Sequence, residues 1–391
     1  MPLSTASKEE ELHWLALKLI PGLGTRNQGK LLDRFRTPQA VFRASRSELE
    51  DVGLSGGVAQ SIASGCTFED AVVQQEKMLQ AGTVLVTLGD ARYPPRLREI
   101  FDPPIALFAR GRVELLGMVS FAMVGTRRPT PYGVAAAERL AGELANASLT
   151  IVSGMARGID TAVHKGVLQV GGDTVAVLGC GVDVVYPSEN RKLAADLAAK
   201  GLIVSEFPMG AVAFPQNFPI RNRVISGISV GVLVVEGAQY SGSAITAKLA
   251  MDQGREVYAV PGNITSKLSW GPNLLIKQGA RLVQDWNDVI GHLPAEERRR
   301  LVEKGQHRIL ETEGGFSAGE QASLLGETGD GLGETARRAL AALQVDRAVH
   351  LDDLLETVRD TSPSELIAAL FEMEMLGLVK QLPGKNFVKV W

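Results

Sequence analysis

Four short segments between residues 121 and 262 combine glycine, arginine and small polar residues beside apolar runs. Glycine lets backbone N–H groups approach an anion, and helix N-termini add a favourable dipole. Guanidinium groups are planar, permanently charged donors that match phosphate. The pattern therefore predicts a site that holds phosphates. The segments are Val124-Gly125-Thr126-Arg127, Val152-Ser153-Gly154 with Arg157, Leu178-Gly179-Cys180-Gly181, and Pro219-Ile220-Arg221-Asn222-Arg223.

The elements that must position these segments alternate between strand-like apolar runs and amphipathic helices. Such alternation predicts βαβ units and a parallel sheet with helices on both faces. Loops at the carboxyl ends of the strands then meet in one crevice, where ligands bind. We expect four arginines to share that rim: Arg127, Arg157, Arg221 and Arg223. The predicted strands are 83–88, 105–109, 119–124, 150–152, 174–178, 202–205, 231–236 and 256–260.

The whole chain is predicted to be α/β, with a mostly parallel, extended Rossmann-like sheet between two smaller modules. Residues 1–82 read as short helices and are similar to a SAM-like or helix-hairpin-helix-like domain. Residues 83–292 form the Rossmann-like domain, and residues 293–333 lose apolar periodicity, as flexible linkers do. Residues 334–391 predict three helices and a hairpin, the pattern of a winged helix.

Both flanking modules leave two functions open. In the helical module Arg26 and Lys30 could help a hairpin bind DNA, although packing or partner docking is the favoured interpretation. In the winged helix the third helix has acidic residues and no lysine or arginine, which favours protein contact over the reading of DNA bases. Its acidic residues are Glu365, Glu372 and Glu374.

Composition narrows the class of protein. The net charge is −3, and only the middle segment is basic, with 20 basic and 17 acidic residues between 81 and 292. No apolar stretch has the length of a membrane span, and the N-terminus lacks the pattern of a secretory signal, so a cytoplasmic protein is expected. Cys66 and Cys180 make neither a disulfide framework nor a metal cluster.

Searches for cofactor and catalytic motifs predict no cofactor, no metal and no enzyme. Gly179-Cys180-Gly181 lacks the third glycine of a dinucleotide fingerprint, and no Walker lysine occurs. Asp160 is expected to order its turn while His164 packs beneath it, rather than to form a ligand pair. Glu206 and Glu236 could be acids in a cleft, but structural pairing with Arg221 or Arg223 is at least as good an interpretation.

Aromatic residues close to the glycine segments favour single-stranded nucleic acid as the phosphate source. A single strand needs a positive groove along its backbone and flat surfaces on which bases stack. One or two of the nearby aromatic residues would suffice, and the others are expected in the core. The candidates are Tyr132, Tyr186, Phe207, Phe214, Phe218 and Tyr240.

Taken together, the motifs resemble the DprA/Smf family of DNA-processing proteins over residues 85–282. They are Tyr93-Pro94-Pro95, Asp102-Pro103-Pro104, Val124-Gly125-Thr126-Arg127, Ser153-Gly154-Met155-Ala156-Arg157-Gly158-Ile159-Asp160, Tyr186-Pro187, Phe218-Pro219 with Arg221-Asn222-Arg223, Ser241-Gly242-Ser243 and Pro261-Gly262.

This resemblance implies a homodimer that binds and protects single-stranded DNA and helps to load the recombinase RecA. Many relatives have a lysine just after the Tyr-Pro pair. This chain has Ser188 there, so Arg191 or Lys192 would replace that contact. The implied nucleic-acid-binding residues are Gly125, Arg127, Ser153, Gly154, Arg157, Asn190, Arg191, Arg221, Asn222 and Arg223.

A second hypothesis is a nucleotide-processing enzyme. Lysine-decarboxylase-like phosphoribohydrolases share a similar core and also hold phosphate at glycine loops. They carry a Pro-Gly-Gly-x-Gly-Thr-x-x-Glu run at the start of a helix. The corresponding place here reads Glu236-Gly237-Ala238-Gln239-Tyr240-Ser241-Gly242-Ser243 and lacks that run.

Overall fold

A computed structural model provides the structure and describes residues 7–239, 241–301, 304, 334–343, 349–358, 361–362, 365–367, 369–370, 373, 379–382 and 386–389. The chain divides into two compact units, Met1–His307 and Arg308–Trp391. In the described part of the chain, no helix is both long enough and apolar enough to cross a membrane.

Six helices form the module at the start of the first unit. Ser7 begins α1 with a capping box, in which its hydroxyl accepts from the Glu10 amide. Two turns between the helices contain Gly22 and Gly53, whose φ angles of 75° and 93° favour glycine. The helices are α1 (Lys8–Leu19), α2 (Thr25–Phe35), α3 (Pro38–Arg43), α4 (Arg46–Asp51), α5 (Gly56–Ala63) and α6 (Phe68–Ala81).

A nine-stranded sheet follows. The strands are β1 (Val84–Thr87), β2 (Ala106–Gly111), β3 (Ser120–Val124), β4 (Thr150–Ser153), β5 (Thr174–Leu178), β6 (Leu202–Ser205), β7 (Gly231–Val234), β8 (Glu256–Ala259) and β9 (Arg281–Leu282). Their order is β1-β2-β6-β5-β4-β3-β7-β8-β9. Strand β2 pairs antiparallel with β1 and β6, and the remaining pairs are parallel. All eight predicted strands are present. The two-residue β9 is additional.

Helices cover both faces of this sheet, so its strands are almost continuously buried. On one face α11, α12 and α13 pack on Val124 and Val152, and on the other α8 and α9 pack on Phe121 and Ile151. The helices are α7 (Pro95–Arg98), α8 (Pro131–Asn146), α9 (Ile159–Gln169), α10 (Arg191–Lys200), α11 (Asn217–Ile228), α12 (Gly242–Asp252), α13 (Trp270–Lys277) and α14 (Asn287–Ile290).

The helical module packs directly on the Rossmann-like domain. Its buried side chains form one cluster with residues of β1, β2, β5 and β6. Gln74 of α6 donates to the Met209 carbonyl at 3.3 Å and accepts from the Met209 amide at 2.8 Å. The module therefore braces residues 206–216, the segment between β6 and α11.

The stretch predicted as a linker begins with ordered structure. Residues 295–301 are helical, and Leu301 is buried in the first unit. Arg96 forms a 2.5 Å ion pair with Glu297, and Lys304 forms one of 2.7 Å with Asp173. The other residues between 302 and 333 lie outside the described part of the chain.

The second unit has the helices and strands that a winged helix requires. Residues 365–367, 369–370 and 373 are also helical, and their core includes Leu366, Leu370 and Phe387. The predicted turn 383–385 and the residues Glu372 and Glu374 lie outside the described set. The elements are α15 (Glu334–Ala342), β10 (Val349–His350), α16 (Leu351–Thr357), β11 (Val379–Leu382) and β12 (Asn386–Lys389), with strand order β10-β12-β11.

Candidate nucleic-acid interface

A cleft of about 420 Å³ opens at the carboxyl edge of the parallel strands. From β3 the chain adds β4, β5 and β6 on one side and then crosses over to add β7, β8 and β9 on the other, so the strand order reverses beside β3. This is the switch point at which open α/β sheets bind ligands. The volume falls within the range of small-ligand pockets, about 300–1,000 Å³. The lining comes from the loops after β3, β5, β6 and β7 and from the first turns of α9, α11 and α12. It includes Gly125, Arg127, Asp160, Tyr186, Phe218, Arg221, Asn222 and Ser243.

Arg127 and two aromatic rings lie in a row at this cleft. The Arg127 guanidinium carbon lies 5.0 Å from the centroid of the Phe218 ring, within the range of a cation–π contact. The Phe218 ring lies 5.5 Å from the Tyr186 ring at an interplanar angle of 35°. Arg127 is exposed and Tyr186 is 41% exposed. A cation and a flat apolar surface therefore stand side by side in reach of solvent.

Arg157 lies on the loop between β4 and α9 and is also exposed, but it has a partner. Its Nε and Nη2 both donate to the carboxylate of Glu189, with Nη2 2.7 Å from Oε2. The carboxylate raises the pKa of Arg157, and the guanidinium lowers the pKa of Glu189. The pair stays open to solvent, since the two side chains are 58% and 50% exposed.

Arg221 is placed beneath the cleft rather than on its rim. Its Nη1 donates to the carbonyl oxygens of Gly154 at 2.7 Å and Val177 at 2.6 Å, which ties together the ends of β4 and β5. Only 4% of the residue is exposed. Burial lowers the pKa of Arg221, and the nearby Asp160 carboxylate opposes that effect. Arg221 therefore shapes the cleft floor.

Arg223 does not reach the cleft, which corrects the expectation that four arginines share one rim. Its Nη2 forms a 2.6 Å ion pair with Glu206, and its Nη1 donates to the Asp102 carbonyl at 2.8 Å. Residues two apart on a helix point about 200° apart, so Arg221 and Arg223 cannot face the same way on α11. The predicted alternative, pairing of Glu206 with an arginine, is confirmed.

A cation from the helical module completes this buried group. Lys18 of α1 lies 3.9 Å from Glu206. Burial lowers the pKa of Lys18, while the Glu206 carboxylate opposes the shift. The network therefore joins α1 to α11 behind the cleft.

Two glycines of these segments stand where neighbouring side chains leave no room for a Cβ. A Cβ on Gly154 would overlap the Arg221 guanidinium, and one on Gly125 would lie 2.5 Å from Ile159. The Asp160 carboxylate accepts from the Ala156 amide at 3.3 Å, so the protein's own anion caps this loop. The predicted role of Asp160 in ordering the turn is confirmed.

Two further candidates are buried tethers. Ser153 is fully buried, and its hydroxyl donates to the Met123 carbonyl at 2.7 Å, which links β4 to β3. The Asn190 amide donates to the Met155 carbonyl and to the Thr161 hydroxyl, both at 2.9 Å. These contacts fix the loops that carry Arg157.

The remaining candidates lie nearer to solvent or to the cleft. Arg191 is exposed at the start of α10. Asn222 lines the cleft, and its amide donates to the Gly242 carbonyl at 3.4 Å. Two exposed residues were missed, Arg128 beside Arg127 and Glu189 beside Asn190. The only sign of either residue in the sequence was its position next to a predicted site residue.

His164, Glu206 and Glu236 each have a hydrogen-bond or ion-pair partner within the fold. His164 is buried with its Nδ1 2.7 Å from the Thr174 hydroxyl, and burial lowers its pKa to about 3. Glu236 accepts from the Thr130 amide and hydroxyl at 2.9 Å and 2.6 Å, which holds the start of α8. The described residues contain no cluster of three or more His, Cys, Asp or Glu side chains suited to a metal ion.

The fold and the cleft define a Rossmann-like binding protein with an attached winged helix. A family model described as "DNA recombination-mediator protein A" matches residues 84–294, and one described as "DprA winged helix domain" matches residues 327–385. The chain belongs to the DprA/Smf family of DNA-processing proteins.

Two relatives and one solved structure each match at least half of this chain. Protein Smf of Synechocystis sp. is 32% identical over 97% of this chain and 99% of its own. DNA processing protein DprA of Streptococcus pneumoniae is 44% identical over 51% of this chain and 71% of its own. An X-ray structure of the S. pneumoniae protein superposes with a TM-score of 0.65 and 33% identity, covering 74% of this chain and 99% of that one.

Proposed function

We propose that the chain binds single-stranded DNA at the mouth of the cleft. Phosphates would be held by the exposed Arg127, Arg157 and Arg191, and bases would stack on Phe218 and Tyr186. One observation carries the proposal: the exposed Arg127 lies against Phe218, whose ring lies beside that of Tyr186, at the switch point of the sheet. Cationic groups beside aromatic faces are what a single strand requires.

Exposed aromatic area favours a single strand over a duplex. Tyr186 is 41% exposed and Phe214, on the segment that forms one wall of the cleft, is 53% exposed. A duplex keeps its bases stacked on each other, so these rings can stack only on unpaired bases. Stacking contributes roughly 1–3 kcal/mol per base and requires no particular sequence.

Nine of the ten predicted contact residues divide into two roles under this proposal. Arg127, Arg157 and Arg191 would contact phosphate, and Asn222 would contact a nucleotide within the cleft. Gly125, Ser153, Gly154, Asn190 and Arg221 would act by holding the loops in position. Arg223 is excluded from the contact set, because its guanidinium is engaged by Glu206 away from the cleft.

The proposal extends to the role that the family's description as a recombination mediator suggests. The bound strand would be protected and handed to the recombinase RecA, and the protein would act as a homodimer during transformation. This is a binding function without turnover. The phosphoribohydrolase alternative is less well supported, since Glu236 and Glu206 are both occupied by partners within the fold.

A titration over a salt series tests the DNA proposal. Fluorescent oligo-dT and a duplex of equal length are bound to the native chain, to Arg127→Ala with Arg157→Ala, and to the control Arg46→Ala. Arg46 is a comparably exposed arginine, paired with Glu50 in the helical module. We expect tighter binding of the single strand. The double variant should have a salt slope that is shallower by about 0.7 for each phosphate that it no longer neutralises.

The control variant should match the native chain in both affinity and slope. Equal affinity for duplex and single strand, or a native slope in the double variant, contradicts the proposal. Turnover of nucleoside monophosphates with weak oligonucleotide binding would instead support the hydrolase.

A further inference from the structure

Glu189 occupies the edge of Arg157 that a phosphate would use. The carboxylate bonds to Nε and Nη2 together, which is the paired-donor edge with which arginine binds carboxylates and phosphates. A DNA phosphate can bind this edge only after Glu189 has left it. We propose that Glu189 is a tethered competitor that sets the affinity of the protein for single-stranded DNA, an inference that rests on the proposed function.

The competitor is held in place by its neighbour. Asn190 is 6% exposed and donates to the Met155 carbonyl and the Thr161 hydroxyl. Met155 belongs to the loop that carries Arg157, so the turn Ser188–Asn190 and that loop are tied together. Glu189 therefore stays within reach of Arg157 without being buried, and it can swing away into solvent.

The exposure of the pair decides how strongly it competes. Ion pairs between solvent-exposed side chains are weak because water and salt screen them. A strand that meets several cations at once can therefore displace Glu189, while an anion that contacts Arg157 alone gains little. Glu189 would thus make binding depend on several phosphates, which discriminates against mononucleotides and very short fragments.

Removing the negative charge while keeping the shape tests this role. Glu189→Gln should bind oligo-dT roughly two- to fivefold more tightly at moderate salt, the range expected from the strength of exposed pairs. Its salt slope should be steeper, because no freed carboxylate remains beside the strand. A dinucleotide should gain more from the substitution, as a ratio to native affinity, than a long oligo-dT.

Two controls separate competition from a general change of net charge. Glu50→Gln removes a carboxylate from a similarly exposed arginine pair in the helical module and should leave DNA affinity unchanged. In an Arg157→Ala background, Glu189→Gln should give a clearly smaller gain, because the guanidinium for which Glu189 and the phosphate compete is gone and only repulsion between the unpaired carboxylate and the strand is removed. An equal gain in both backgrounds, or no gain in the native background, overturns the inference.

The two proposals fail differently. If native chain and Arg127→Ala bind oligo-dT equally weakly and without salt dependence, the proposed function is wrong and this inference with it. If Arg127→Ala weakens binding but Glu189→Gln does not strengthen it, only the role of Glu189 is wrong.

Discussion

Nη1 of Arg221 donates a 2.7 Å hydrogen bond to the carbonyl oxygen of Gly154, beneath the cleft. A Cβ at this glycine would overlap the guanidinium, so a larger residue would displace Arg221 from its hydrogen bonds to the Gly154 and Val177 carbonyls. The sequence suggested that Gly154 offers its amide to a phosphate, whereas in the structure this glycine allows the buried Arg221 guanidinium to approach the backbone closely. Supporting residues of this kind should affect stability, whereas the exposed residues of the cleft should affect binding.

Gly154→Ala should destabilise the first unit by about 1–3 kcal/mol, the usual cost of an overpacked interior. Gly29→Ala is the matched control, since its Cβ would meet nothing within 4 Å and it lies inside α2. There the substitution should stabilise by up to ~1 kcal/mol through helix propensity. Urea unfolding measures both, and equal effects at the two positions would contradict the packing role.

Phe218→Ala should weaken oligo-dT binding by about 1–3 kcal/mol through loss of a stacking surface. The salt slope should barely change, because Arg127 remains. Phe218→Tyr keeps the ring and should bind like the native chain. Fluorescence anisotropy measures the affinity, and native binding by the alanine variant would remove the ring from the interface.

Arg223→Met should cost about 3–5 kcal/mol of stability, because Glu206 would lose its closest cationic partner in a buried site. Arg127→Ala, at an exposed position, should leave the unfolding midpoint nearly unchanged while it weakens DNA binding. Chemical denaturation of the two variants checks the contrast. An Arg223 variant of native stability that fails to bind DNA would return this arginine to the contact set.

His164 should make stability fall as the pH falls below 6.5. Its pKa in the folded state is about 3, below the ordinary 6.5, so the unfolded state binds the proton more readily between these values. At pH 5 this effect should lower the free energy of unfolding by about 2 kcal/mol. Urea midpoints at pH 7 and pH 5 should therefore differ less in His164→Gln than in the native chain, and parallel decreases in the two proteins would contradict this.

The sheet was predictable because its strands are buried on both faces and therefore appear as uninterrupted apolar runs. Arg127 and Arg157 were predicted on exposed loops because each closely follows such a run. Arg223 was wrongly predicted at the cleft because no apolar run in the sequence indicated α11. Without that helix, nothing showed that Arg221 and Arg223 point in different directions. Glu189 was not predicted because phosphate ligands are expected to be cations or amides, and the sequence does not show that this carboxylate pairs with Arg157.

The two hydrogen bonds between Gln74 and the backbone of Met209 have a consequence for how family members can exchange parts. Together with the Lys18–Glu206 ion pair, they hold the helical module against residues 206–216 through specific side-chain contacts. A helical module from another family member that lacks Gln74 and Lys18 would leave the Met209 amide and carbonyl without these hydrogen bonds and Glu206 without this cation. Such a chimera would fold stably only if residues 206–216 were exchanged together with the module.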